Sequence, residues 1–464
     1  MTVTTDPTAT PPVTSASIAD TEAALSGAAR FVAEFDLFSA ELPAAEPAAV
    51  KALRRMAIER FTHLGFPTLR QEEWRQTNMA PIAQTAFERP SGPEPDVDLS
   101  GLDPLSVGAA ARLVFVNGRF SSLLSRLDEL PQGVVLGSLA EALERIPNQV
   151  EPWLGQHARF EEQPFVALNT AFLRDGAFLS VPRGVVVERP IHVLFYSTGA
   201  AGRPIVTFPR NLFVTGENSQ VTIVETYAGD GVYFTCPVTE LVAGPASVVD
   251  HYKLQRESRD AFHVATFQVE GERSCAPSSH SISIGGALVR NDVNAVLDGE
   301  GIDCILNGLY LAEGRQVIDN HMRVEHAKPH CASHELYKGI LDGSARAVFN
   351  GLIHVHPGAQ KTDAKQSNRN LLLSSGAIAN SNPQLEIFAD DVKCTHGSTV
   401  GQLDDDAVFY LRSRGIGEEA ARSLLTYAFA SDIVERIKVE PVRHDLAEFL
   451  FTRLPQGEVV RQAV

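Results

Sequence analysis

From about residue 165 to about residue 400 the chain is a succession of short β-branched or alternating runs, among them VPRGVVVERPIHVLFY, NLFVTG, QVTIVETYAG, HVATFQVEG and SISIGG. They recur about every ten residues and are punctuated by Gly, Asn, Asp and Pro, with no segment that reads as a long helix. Regular short strands with turn signals restrict this stretch to a barrel, a sandwich or a solenoid. A single closed sandwich needs fewer strands, which favours a β-solenoid whose coils each bury an inward row of side chains against the next. The polar run AQKTDAKQSNRN fits the same architecture, because stacked side chains can exchange hydrogen bonds from coil to coil. No strict repeat motif is visible.

The flanks differ. Residues 1–18, rich in Thr, Pro, Ser and Ala, cannot bury enough apolar surface to offset ordering entropy and are expected to form a disordered tail. Over 47–64 the residues Val50, Leu53, Met56, Ala57, Phe61 and Leu64 recur at helical spacing, which predicts an amphipathic helix closed by Gly65 and Pro67. Residues 90–104 read as a linker; LVFVNG followed by an Asn117-Gly118 turn reads as a strand, and 139–146 as a helix. At the other end Glu418 and Glu419 suit a helix N-terminus, and Ala421, Leu424, Leu425, Ala428 and Phe429 make an apolar stripe. Pro441 breaks the chain before a second helix carrying Leu446, Phe449 and Leu450. The expected organisation is a tail (1–18), a mixed, largely helical domain (19–164), a mainly β solenoid core (165–405) and a helical end (406–464).

Composition narrows the function classes. Of 464 residues 40 are Lys or Arg and 57 Asp or Glu, a net charge of −17, which argues against nucleic acid and anionic lipid as partners. No apolar run reaches spanning length and the N-terminus has neither a basic nor an apolar signal region, so a cytoplasmic protein without a membrane segment is expected. Five cysteines, with no C-x-x-C pair, write neither a disulfide framework nor a zinc ribbon and suit a reducing compartment.

No phosphate loop, dinucleotide fingerprint, nucleophile elbow or H-E-x-x-H motif is present. One third of the chain instead concentrates His321, His326, His330, Cys331, His334, His354, His356, Cys394 and His396. Imidazole and thiolate are ligands for iron, zinc and iron–sulfur clusters. Residues two apart on a strand share a face, so His354 projects with His356 and Cys394 with His396. Ala347, Phe349, Ile353 and Val355 read as the buried face beside the first pair, leaving both histidines on the opposite one. A cupin-type metal enzyme would need Glu four or five residues after H-x-H, where Gln360 and Lys361 stand. The spacings across 321–334 fit neither strand nor helix as one face, and those residues read as structural. Cys394-Thr395-His396, after Asp390-Asp391 and before Gly397, reads as a metal- or sulfur-handling pair near a strand end.

At this point YKGIL from Tyr337, AQKTDAKQSNRNLLLS from Ala359, PQLEIFADDVKCTHGSTVG from Pro383 and FYLRSRGI from Phe409 strongly resemble the core of the SufB/SufD family of iron–sulfur cluster assembly proteins of the SUF system. Similarity extends more weakly to VPRGVVVERPIHV, and GFPTLRQEEWRQT looks like the family's N-terminal domain. DDVKCTHGSTVGQLDDDAVFYLRSRGI is similar to the SufD branch, whereas SufB members carry an E-H-E-A-T-T-S type segment there.

The resemblance implies a right-handed parallel β-helix between an N-terminal mixed domain and a C-terminal helical domain. It also implies a non-catalytic scaffold that pairs with SufB through the β-helix and docks the SufC ATPase through its C-terminal helical domain, to which a helix over about 418–437 would contribute. Cys394 and His396 match the family's interface positions and would contact a transient iron–sulfur cluster shared with SufB, none being held permanently by the isolated chain; self-association of the isolated chain is the alternative pairing. Two other readings remain at this stage. Solenoids also host carbohydrate lyases and hydrolases, against which two Trp and eight Tyr offer few sugar-stacking platforms. The other is a metal-storing or purely structural solenoid without assembly partners.

Overall fold

The computed structural model describes residues 18–42, 46–91, 97, 108–127, 130–199 and 203–463. Of the expected 1–18 tail, 1–17 lie outside the described residues, as do 92–96 and 98–104 of the expected linker.

The protein is mainly β, a parallel solenoid flanked by helices at both ends. Two sheets form its walls, one of ten strands ending at Lys393–Gly401 and one of eleven ending at Ile378–Ile387. Neighbouring coils pair in parallel: Leu288 lies beside Val317, and Val317 beside Arg346, a step of 29 residues each. The step is 26 from Phe262 to Leu288 and 32 from Arg346 to Ile378. Turns of unequal length therefore hide the repeat from the sequence while the strands keep register.

The early edges of the sheets end in antiparallel partners: Arg119–Phe120 on Ala111–Val116, and Val135–Ser138 on Ala177–Val181. Asn117 and Gly118 both take positive φ (50° and 72°), the geometry of a tight hairpin whose twist matches its strands.

Two expected features were displaced. The texture change near residue 165 begins with a helix, Pro164–Ala171, all eight residues of which are buried, so no amphipathic period marks it. The helix predicted over 47–64 forms as Ala48–Leu64, but Met56 is exposed and Arg54 is buried, its guanidinium paired with Glu46 and donating to the Leu173 carbonyl (2.6 Å). Two further helices, Asp405–Ser413 and Gly457–Ala463, accompany the two expected at the end, Glu418–Val434 and Glu440–Arg453. In Glu418–Val434 the buried face is Ala420, Ala421, Ser423, Thr426, Ala430, Ile433 and Val434, while Leu424, Leu425 and Phe429 are half-buried and Ala428 is exposed. Among the described residues no helix is long and apolar enough to cross a membrane.

The YKGIL segment acquires a packing reason. Tyr337 lies beside Gly308 and Tyr310 beside Gly339 on the adjacent coil, and each glycine leaves the room its partner ring occupies. Between them Lys338 reaches out of the wall to Asp432 (2.8 Å) and the Phe429 carbonyl (3.0 Å), fastening Glu418–Val434 to the solenoid. The polar run is likewise stacked inside: Asn368 donates to the Tyr310 hydroxyl (3.0 Å), which donates to Asn370 (2.6 Å), which donates back to Asn368 (2.7 Å).

A Cβ at Gly308 would overlap the rigid Tyr337 ring. Gly308→Ala is therefore expected to destabilise by about 1–3 kcal/mol, the usual cost of overpacking, seen as a lower midpoint in thermal or urea unfolding.

Candidate functional site

A parallel coil buries its inward row only where another coil follows. In Asp363–Leu372 the inward residues Ala364, Gln366, Asn368 and Asn370 are buried beneath Lys393–Gly401. Above them, in register, stand Cys394, His396, Ser398 and Val400, and among the described residues no further coil covers this row. Cys394 is half-buried against Ile353, Val355, Ala359, Ala364 and Ala389, whereas His396, Ser398 and Val400 are exposed. The two expected site residues thus share the inward row of the last coil, at its open end. The large apolar side chains exposed on the last coil and the helix after it include Ile378, Ile387, Phe388, Phe409 and Tyr410, with Phe388 against His354 on the outer wall.

The approach to this row is held by the turn before it. Lys361 pairs with Asp391, the Lys361 backbone N–H donates to the Asp391 carbonyl (2.6 Å) and the Asp391 N–H donates to Gln360 Oε1 (2.9 Å). Burial raises the Cys394 thiol pKa, so at neutral pH the group is a thiol and becomes a ligand only when a metal or other cation displaces its proton.

Two coils beneath His396 the sequence reading missed a carboxyl. His396 is in register with Gln366 and Gln366 with Glu335, and Gln366 Nε2 donates to Glu335 Oε2 (2.8 Å). Burial pushes Glu335 up to about 7. Its signal was the parity of ASHELYKGIL, which places Ser333, Glu335 and Tyr337 on one inward row with the buried residues.

The other ligand-type residues are dispersed. His326 is buried with Nε2 2.9 Å from Ser333 Oγ, and burial lowers it to about 4, leaving it neutral. Cys331 is buried and donates to the Gly299 carbonyl (3.1 Å), His330 is exposed in a turn at φ 60°, and His334 is half-buried. His321 accepts from Asn350 Nδ2 (2.8 Å) beside Arg290 and Asp319, in a clamp the sequence did not reveal. There Arg290 lies over the Trp74 ring at 3.6 Å and pairs with Asp319, which accepts from Thr77, binding the N-terminal region to the solenoid. His354 and His356 are together on the outward face, as their spacing predicted. All five cysteines are free, and among the described residues no three His, Cys, Asp or Glu side chains group to hold a metal.

Comparison with known proteins bears on this geometry. Residues 195–429 match the family described as SUF system FeS cluster assembly, SufBD core domain, and residues 28–193 match the SufBD protein N-terminal region. An iron-sulfur cluster assembly SufBD family protein of Synechocystis is 35% identical over 410 residues, covering 86% of this chain and 90% of the relative. The iron-sulfur cluster assembly protein SufD of Escherichia coli is 31% identical over 425 residues (91% of this chain, 96% of the relative), and SufD of Bacillus subtilis 27% over 433 (87% and 94%).

Cys394 alone among the five cysteines is not fully buried. Iodoacetamide at neutral pH should therefore modify Cys394 first and slowly, faster as pH rises and the thiolate forms, with peptide mass mapping as the readout. Earlier labelling of Cys304 would contradict the placement.

Proposed function

The chain belongs to the SufBD family of SUF-system iron–sulfur cluster assembly proteins, and from that premise we propose that it is the SufD-type scaffold subunit of a SufB–SufC–SufD complex. The observation that carries the proposal is the uncovered inward row of the last coil, with Cys394 and His396 in it. Such a row, with unpaired strand edges and exposed apolar neighbours, is stabilised by a partner that continues the stack. SufB is the partner proposed, and joining there would enclose the two side chains at an interface from which water and oxidants are excluded.

A nascent cluster is cargo in this scheme. His396 would supply a neutral imidazole to iron, and Cys394 a sulfur whose proton is lost on coordination. Two such groups are half a ligand set; the rest would come from the partner, and the isolated chain would hold no permanent cluster. The half-buried Leu424 and Leu425 of Glu418–Val434 support a docking role for the C-terminal helices, for which SufC is the proposed occupant. ATP hydrolysis would then belong to SufC and the subunit itself would be non-catalytic. Free cysteines suit a reducing, cytoplasmic setting.

The test is anaerobic co-expression with the SufB and SufC partners, followed by pull-down and an iron and sulfide count. An intact complex is expected for wild type and for His396→Ala, with cluster content reduced about tenfold or more in the variant, the scale of losing a metal-site group. Unchanged content in His396→Ala would overturn the assigned role, and failure to co-purify would overturn the complex.

A further inference from the structure

On the outer wall, Glu325, His354 and Glu386 stand in register on three successive coils, Val317–His326, Arg346–Val355 and Ile378–Ile387. Neighbours in such a ladder are about 4.8 Å apart. His356 lies just past its strand, and its backbone N–H donates to the His326 carbonyl (3.0 Å), which keeps it in line with His354. The two imidazole rings meet edge to face, centroids 4.7 Å apart at 74°.

Each ring is engaged through one nitrogen. His354 Nδ1 is 2.9 Å from Glu386 Oε2, and His356 Nε2 is 3.4 Å from Glu325 Oε2. A carboxylate only accepts, so each neutral ring donates its N–H there, which assigns the tautomers and leaves the lone pairs on His354 Nε2 and His356 Nδ1. A carboxylate on the far nitrogen is the arrangement that orients imidazole ligands in metal sites. Here it occurs twice on neighbouring rings. All four side chains are partly exposed, and Arg323, 2.7 Å from Glu325, neutralises only one of the two carboxylates. The patch therefore remains attractive to a cation and open to a hydrated one.

We propose that His354 and His356 chelate one divalent first-row transition cation, of the iron(II), cobalt(II) and zinc(II) class, through His354 Nε2 and His356 Nδ1. Glu386 and Glu325 are positioning residues, and water fills the other coordination places. The absence of a three-ligand group among the described residues is consistent with this, since two imidazoles bind directly and the carboxylates act through them. Two protein ligands make an exchangeable site. It lies on the opposite sheet from Cys394 and His396 and does not depend on their role.

The full chain, stripped with chelator, is titrated with Co²⁺ and followed by visible absorption and calorimetry. One Co²⁺ per chain is expected, with affinity at least about tenfold weaker in His354→Gln and in His356→Gln, and about tenfold weaker in Glu386→Gln, the scale of losing an orienting partner. Affinity should be unchanged in His330→Gln, and Fe²⁺ added without oxygen should compete. In the wild-type chain Co²⁺ should also shield His354 and His356 from diethylpyrocarbonate, a readout that needs no variant. No binding to wild type, no shielding, or undiminished binding in a variant carrying both His354→Gln and His356→Gln would overturn the proposal.

Discussion

Each coil of this solenoid finishes its hydrogen bonds and buries its inward side chains only against a neighbouring coil, and that dependence organises the molecule. Every internal coil is satisfied on both sides, so the structure propagates easily but has no intrinsic place to stop. At the early end the antiparallel strands Arg119–Phe120 and Val135–Ser138 close the sheets. At the late end no strand among the described residues does so, and the C-terminal helices pack on the flank instead, against Tyr252, Ile282, Leu309 and Ile340 of one wall. An inward row left open is the direct result, and Cys394 and His396 are in it.

The interior behind that row is unusually polar for a core. Glu225 lies 3.3 Å from His251, Glu257 lies 2.8 Å from His263, and burial lowers Lys253 to about 8. On the outer face of the wall, beneath the N-terminal region, Arg210 likewise pairs with Glu240, which also accepts from the backbone N–H groups of Gly155, His157 and Ala158 and so fixes that region to the coil. Buried pairs of this kind add little net stability, but losing one partner costs about 3–5 kcal/mol. Their effect is on register, since a coil that slipped by one residue would turn its charges outward and strand their partners.

The sequence made the solenoid legible because strand texture and turn residues survive without an exact repeat. Coil length was not legible, since steps of 26, 29 and 32 residues differ only in turns that carry no fixed motif. Period two placed Cys394 with His396 and His354 with His356, and both pairs do share a face. For Cys394 and His396 it could not say which face is inward, because inwardness there is set by coils distant in sequence. Tertiary context also explains Pro164–Ala171, buried all round, and Met56, exposed although it lies on the predicted stripe. The Trp74–Arg290–Asp319 clamp joins residues more than two hundred positions apart, and Glu335 is visible only once Gln366 and His396 are stacked above it.

Amide hydrogen exchange of the chain alone and bound to its SufB partner tests the open end most directly. Exchange should be slow through Ala332–Leu341 and fast through Ile378–Ile387 and Lys393–Gly401 in the isolated chain, with protection of the last two strands on binding. If those two strands exchange as slowly as Ala332–Leu341 in the isolated chain, or gain no protection in the complex, the last coil is not the docking surface.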